Sequence, residues 1–137
     1  MVASRSDSGG VHSSRMTLGS CWYWLTEASS QGDERAAIAV QAYCYQLKKQ
    51  IGAFVAALGG ADALAFTGGI GQNSPQVRAL ALEGLACMGL VLDNEKNNNA
   101  RAGDDISAAG SPTRLFVVAT NEEIIIARKA KALVEGL

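Results

Sequence analysis

At 137 residues, 48% apolar and 18% charged, the chain has the composition of a folded globular domain and not of a disordered one. Its net charge of −1 provides no basic footprint for nucleic acid or an anionic membrane, and no apolar run approaches the roughly 18 residues of a membrane span. No basic start with an apolar core marks a signal peptide, and the odd, widely spaced Cys21, Cys44 and Cys87 suit buried thiols in a reducing cytoplasm.

Residues 1–30 show neither helical nor strand alternation. Ser, Gly, Arg and Thr dominate, and Cys21-Trp22-Tyr23-Trp24-Leu25 forms an aromatic cluster with no periodic face. From Gln31 the pattern changes. Asp33 and Glu34 open an acidic first turn. Val40, Tyr43, Cys44, Leu47, Ile51, Phe54, Val55 and Leu58 then recur at helical spacing until Gly59-Gly60 stops the helix. The sequence from residue 31 to 137 reads as one domain.

The stretch from Ala63 to Pro75 organises the rest. Ala63–Thr67 is a short apolar run with the character of a buried strand, and a glycine-rich turn, Gly68-Gly69-Ile70-Gly71, follows it. Ser74 is a suitable N-cap and Pro75 a suitable first residue for the next helix. Strand, glycine turn and helix start in that order make a plausible phosphate or nucleotide cradle, although taken alone the pattern is more often a tight structural turn. The glycines match neither GxGxxG nor a Walker loop.

Val77, Leu80, Ala81 and Leu85 provide an inner helix face, and Leu90–Leu92 a short strand. Asp93 to Gly110 is polar and reads mostly as loop, with a short strand near Ile106. Arg114–Ala119 is a second buried strand. Thr120-Asn121-Glu122-Glu123 fits a capping box for a closing helix with Ile124, Ile125, Ala127, Ala130, Leu133 and Val134 inward. Helices alternating with short strands make an α/β layer fold, in which ligands gather at the carboxyl ends of strands.

Phe66-Thr67-Gly68-Gly69-Ile70-Gly71-Gln72-Asn73-Ser74 with Val77-Arg78 resembles the adenosine-binding motif of acetate kinases and their propionate kinase relatives. Four further segments fit that family in order. They are Gly32-Asp33-Glu34-Arg35-Ala36, Gly89–Asp93 with Glu95-Lys96-Asn97, Ile106-Ser107, and Thr120–Ile124 with Ile126-Ala127. The resemblance covers about residues 31 to 135 and implies the C-terminal portion of a ribonuclease-H-like, actin-type ATPase domain, with helices on a small mixed sheet.

In activity, it implies transfer of the γ-phosphoryl group of ATP to acetate or propionate, giving ADP and an acyl phosphate, with Mg2+ as the cation. Gly68, Gly69, Ile70 and Gly71 correspond to the turn along the adenosine, Asn73 to a polar contact with the base, and Ile70 and Val77 to apolar walls. Spacing alone favours reading Glu122 as an acidic residue placed by the helix dipole; the resemblance makes it correspond to the magnesium-associated carboxylate.

Gln72 stands where the family commonly has Glu. Gly10-Val11-His12-Ser13-Ser14-Arg15 only echoes a family segment that helps hold the nucleotide. The family's N-terminal domain, with its acyl pocket and catalytic residues, has no counterpart in the sequence, so no residue is assigned a catalytic role. Residues 1–30 read as a replaced start. The expectation is a cytoplasmic, homodimeric fragment with little activity of its own, touching neither nucleic acid nor membrane. A non-enzymatic dimerisation module is the alternative, and a generic dinucleotide-binding fragment is disfavoured.

Overall fold

The computed structural model describes residues 18–120 and 122–135; within its helices, the side chains of 18–21, 122, 123, 125, 126 and 135 lie outside the description. The His12 region, the Cys21 thiol and the capping-box pairing of Thr120 with Glu123 therefore lie outside the described residues. The elements run α1 (Leu18–Ser30), α2 (Glu34–Leu58), β1 (Ala63–Phe66), α3 (Gly68–Asn73) and α4 (Pro75–Leu82). A 3-10 turn (Leu85–Met88), α5 (Asn94–Asn99), β2 (Arg114–Val117) and α6 (Glu122–Glu135) complete them.

The long helix α2 has the ends its sequence calls for. The Asp33 carboxylate accepts hydrogen bonds from the backbone N–H groups of Arg35 at 2.9 Å and Ala36 at 3.0 Å. At the other end Gly59 takes a left-handed φ of 73°, and the Gly60 N–H closes on the Val55 carbonyl at 2.9 Å. The irregular-looking segment before it is a helix after all. Trp22 and Leu25 of α1 pack against Val40, Tyr43 and Cys44 of α2, so packing supplies what the sequence pattern lacks.

β1 and β2 form a two-stranded parallel sheet, with Leu64 opposite Leu115 and Phe66 opposite Val117. Antiparallel bridges from Leu92 to Ser107 and from Asp105 to Phe116 stitch the loop before β2 onto it. Leu90–Leu92, expected as a strand, supplies only that single bridge. One face of the sheet is the core: Phe66, Leu115 and Val117 pack with Val55, Leu82, Leu85, Leu90 and Ile106. The largely polar 93–110 segment also contains α5, whose cap is the Asp93 carboxylate, accepting from the Glu95 and Lys96 N–H groups at 3.0 Å.

Two apolar expectations are corrected. Phe54 and Leu58 at the end of α2 are 65% and 75% exposed, because in its last turns it is Val55, 7% exposed, that turns into the core. On α6, Ile124, Ala127, Ala130, Leu133 and Val134 are exposed and not inward; Leu133 and Val134 are 72% and 73% accessible. The inner face of the sheet is already filled by other elements. Cys44 is buried, which raises its thiol pKa, whereas Cys87 is exposed, contrary to the expectation of buried thiols. Among the described residues no helix is long and apolar enough to cross a membrane.

Asp105 ties the stitched loop together. The Ser107 hydroxyl and the Ser107 N–H donate to its carboxylate, and Arg114 pairs with it through Nε at 2.7 Å and through Nη2. The Ser107 bonds first, and then Arg114, hold its pKa down at about 2 against the raising effect of burial. The folded-state value lies below the unfolded one. Asp105 therefore contributes stability above about pH 4, and that contribution is lost as pH falls towards about 2. Urea midpoints measured down this range are expected to fall, and Asp105→Asn to fall less steeply; identical slopes would show that the pairing contributes nothing.

Candidate nucleotide site

The strands are parallel, so both carboxyl ends open on one edge. The Val118 N–H extends the ladder past β2 to the Phe66 carbonyl at 2.8 Å. The glycine segment leaves this edge, and it is a short helix, not the expected open turn. Extended Thr67 leads into Gly68, whose φ of 71° reverses the chain. At Gly71 a Cβ would stand 3.2 Å from the Phe66 carbonyl carbon, so glycine lets α3 fold back onto the end of β1. The helix ends at Ser74, whose hydroxyl caps α4 by accepting from the Val77 N–H at 3.3 Å, with Pro75 in the first turn.

A buried arginine holds this junction. Arg78, 1% exposed, donates from Nη1 to the carbonyls of Gly71 at 2.8 Å and Gln72 at 2.9 Å. Its Nε donates to Asn97 Oδ1 at 2.7 Å and its Nη2 to the Asn97 carbonyl at 2.8 Å. Asn97, also 1% exposed, donates in turn to the Pro75 carbonyl at 2.9 Å. One guanidinium thus ties α3, α4 and α5 together through neutral oxygens. Burial pulls its pKa below the ordinary arginine value, yet a guanidinium stays protonated. The sequence pattern includes Arg78 in the family motif but assigns it no contact; its place beside Val77, on the helix face expected to point inward, is the further signal.

Two cavities flank α3. The first, of about 230 Å³, lies between α1 and α3. Trp22, Tyr23 and Thr26 form one side; Gly69, Ile70 and Asn73 form the other, and residues 74–76 close the end. The second, of about 360 Å³, lies behind α3 against α2 and β1. Ile70, Gly71 and Val77 border it, with Tyr43, Leu47 and Phe66 among its other walls.

Of the residues expected to contact a nucleotide, Gly69, Ile70 and Asn73 meet at the first cavity. Val77 reaches only the second and is 2% exposed, in a cluster with Val40 and Cys44. Gly68 borders neither; its place is the chain reversal. The Asn73 amide donates to the Gly69 carbonyl at 2.9 Å. The Glu122 backbone begins α6 just past β2, on the same edge as α3, while its side chain lies outside the described ones. Among the described residues no group of three or more His, Cys, Asp or Glu side chains gathers to hold a metal.

Residues 13–128 match the model of the acetokinase family. The chain belongs to that family. The acetate kinase of Desulforamulus reducens is 51% identical over 110 residues, 80% of this chain and 28% of the relative. That of Methanosarcina barkeri is 47% identical over 111 residues, 81% of this chain and 27% of the relative.

Among solved structures, the acetate kinase of Porphyromonas gingivalis superposes with a TM-score of 0.70 at 36% identity. It covers 82% of this chain and 29% of that one. A propionate kinase from Francisella tularensis gives 0.69 at 31%, covering 77% and 27%. This acetokinase chain therefore has the actin-type ATPase fold of those enzymes and spans a little over a quarter of their length. The family match begins at residue 13, inside the segment whose sequence lacks a periodic pattern.

Proposed function

We propose that this chain is the ATP-binding, C-terminal portion of an acetate kinase-type phosphotransferase, which passes the γ-phosphoryl group of ATP to acetate or propionate. The observation that carries the reading is the cavity at the carboxyl edge of a parallel sheet, floored by the glycine helix of the acetokinase motif. In this reading Gly69 and Ile70 lie along the adenosine, Asn73 meets the base, and Arg78 keeps the α3–α4 junction in shape.

The phosphates point along the strand ends towards the start of α6. Mg2+ would arrive on their oxygens, with Glu122 as its carboxylate contact. Mg2+ supplies charge neutralisation at the transferring phosphoryl group. In the same reading the whole enzyme is a cytoplasmic homodimer.

Alone, the 137-residue chain is expected to make little or no acetyl phosphate, because the resemblance assigns it no acyl pocket. Calorimetry with ATP and Mg2+ beside a hydroxamate assay with acetate tests both halves. Saturable binding without turnover is expected, and absence of binding defeats the proposal. A second reading, a non-enzymatic interaction module, is favoured by the exposed Phe54, Leu58, Leu133 and Val134. A stable dimer in light scattering that is indifferent to nucleotide would select it.

A further inference from the structure

We infer that two copies of this chain pair through the free edge of β1, joining their two-stranded sheets into one of four strands about a two-fold axis. The contact goes beyond the kinase reading and needs no nucleotide; ATP binding by calorimetry tests that reading separately.

The edge of β1 is open. The Asp62 carbonyl accepts from the Arg114 N–H at 2.9 Å and the Phe66 carbonyl from the Val118 N–H at 2.8 Å, so residues 62, 64 and 66 turn their backbone polar groups towards β2. Successive residues of a strand send these groups to opposite sides, which leaves those of Ala63 and Ala65 facing away. No described strand lies there, and among the described residues no hydrogen bond reaches them. Both alanines are exposed, and Ala63–Phe66 contains no charge, proline or bulge of the kind that keeps a free edge from pairing.

The other edge of the sheet is closed. Outside β2, the loop before it supplies the bridge from Asp105 to Phe116. The Ile106 N–H donates to the Leu115 carbonyl at 2.8 Å and the Val117 N–H to the Asp104 carbonyl at 3.0 Å. Among the described residues one edge per copy is therefore open. Such an edge meets its own equivalent on a second copy, and growth stops at two.

An apolar strip lines the same edge. The cavity behind α3 runs between β1 and one face of α2, where Tyr43, Leu47 and Ile51 follow at helical spacing. Phe54 and Leu58, both largely exposed, continue that face. The chain reverses between α2 and β1, so β1 runs back along the helix. Antiparallel pairing of the two strands then lays the two α2 helices side by side, with Phe54 of each copy opposite the Tyr43–Leu47 end of the other's groove. The exposed parts of Phe54, Leu58, Ala63 and Ala65, with the groove walls, amount to roughly 500 Å² on each copy, so the pair buries about 1,000 Å², the low end for a specific contact. That area, with the backbone groups of only two residues to exchange, fits a reversible dimer with a dissociation constant on the order of 10–100 µM.

Sedimentation velocity of the full chain from about 5 to about 500 µM tests the pairing. A monomer–dimer equilibrium is expected across that range, with amide exchange at Ala63 and Ala65 slower at the higher concentration. Ala65→Pro removes only an outward N–H and spares the bonds to β2, so it should stay folded and weaken the dimer about tenfold or more. Phe54→Lys, at an exposed position, should weaken it to a similar degree. Ala65 lies close to the two-fold axis. Ala65→Lys and Ala65→Glu should each stay monomeric, and their equimolar mixture should recover the dimer.

A chain that remains monomeric throughout this range overturns the inference. So does a dimer that survives either Ala65→Pro or Phe54→Lys, a mixture of the charged variants that stays monomeric, or open-ended association in place of a dimer. Should Ala65→Pro lose its circular dichroism, Phe54→Lys and the mixture of charged Ala65 variants decide the outcome.

Discussion

Arg78→Ala is expected to lower the melting temperature of this acetokinase chain by about 15 °C, the largest single effect of any substitution at the site. The side chain is almost wholly buried and satisfies four acceptors: the carbonyls of Gly71, Gln72 and Asn97, and Asn97 Oδ1. Truncation removes those bonds together, leaves the oxygens without donors and opens a cavity. A combined cost of about 3–5 kcal/mol follows, and each kcal/mol corresponds to roughly 4 °C in a domain of this size.

Asn97→Ala removes the partner and frees the Pro75 carbonyl as well, at about 3 kcal/mol. The two effects should not add, because they break one network; the double mutant should cost well under the sum. Lysine cannot substitute. It has no planar fork to reach both α3 and α5, so Arg78→Lys should recover little. Thermal denaturation of the three single variants and the double mutant checks this, and additive losses would show that the network is not shared.

A second pair of variants separates binding from folding in α3. A Cβ at Gly69 would meet nothing within 4 Å, and Gly69 faces the cavity between α1 and α3. Gly69→Val should therefore leave stability within about 0.5 kcal/mol while filling the slot and weakening ATP binding tenfold or more. At Gly71 the order reverses. A Cβ there stands 3.2 Å from the Phe66 carbonyl carbon and 3.5 Å from its Cβ, and backbone cannot swing aside. Gly71→Ala should cost about 1–3 kcal/mol by prising α3 off the end of β1. Binding should weaken with it, because Gly69 and Ile70 move with the helix. Calorimetry beside urea unfolding reads the two effects apart. Equal ATP affinity in the wild-type chain and Gly69→Val would remove Gly69 from the site.

The sequence was most legible where local rules suffice. The cap at Ser74, the stop at Gly59 and both strands follow from residue chemistry that acts within a few positions, and the structure has each of them. Asp33, expected in an acidic first turn, is the N-cap just before that turn. The segments that carried the family resemblance were equally local patterns. The sequence is silent where the deciding contact lies elsewhere in the chain. α1 has no periodic face of its own and is held as a helix against α2, with Trp22 beside Tyr43. The asparagine-rich run looked like loop, because nothing in it announces that Asn97 would bond an arginine 19 positions earlier.

Both kinds of residue meet at the cavity. By itself the sequence determined α2, α4, both strands, the glycine-rich segment as the organising feature and the family, since these depend on spacing and on which residue types tolerate a given backbone. Only the tertiary structure decided which residues share a wall. It brought Trp22 and Tyr23 to Gly69 and Asn73, sent Val77 into the core and turned Arg78 inward as the brace behind the site. Those outcomes depend on how α1, α2 and α4 pack. Packing sums weak, nondirectional contacts between positions far apart in the chain, which no local pattern encodes.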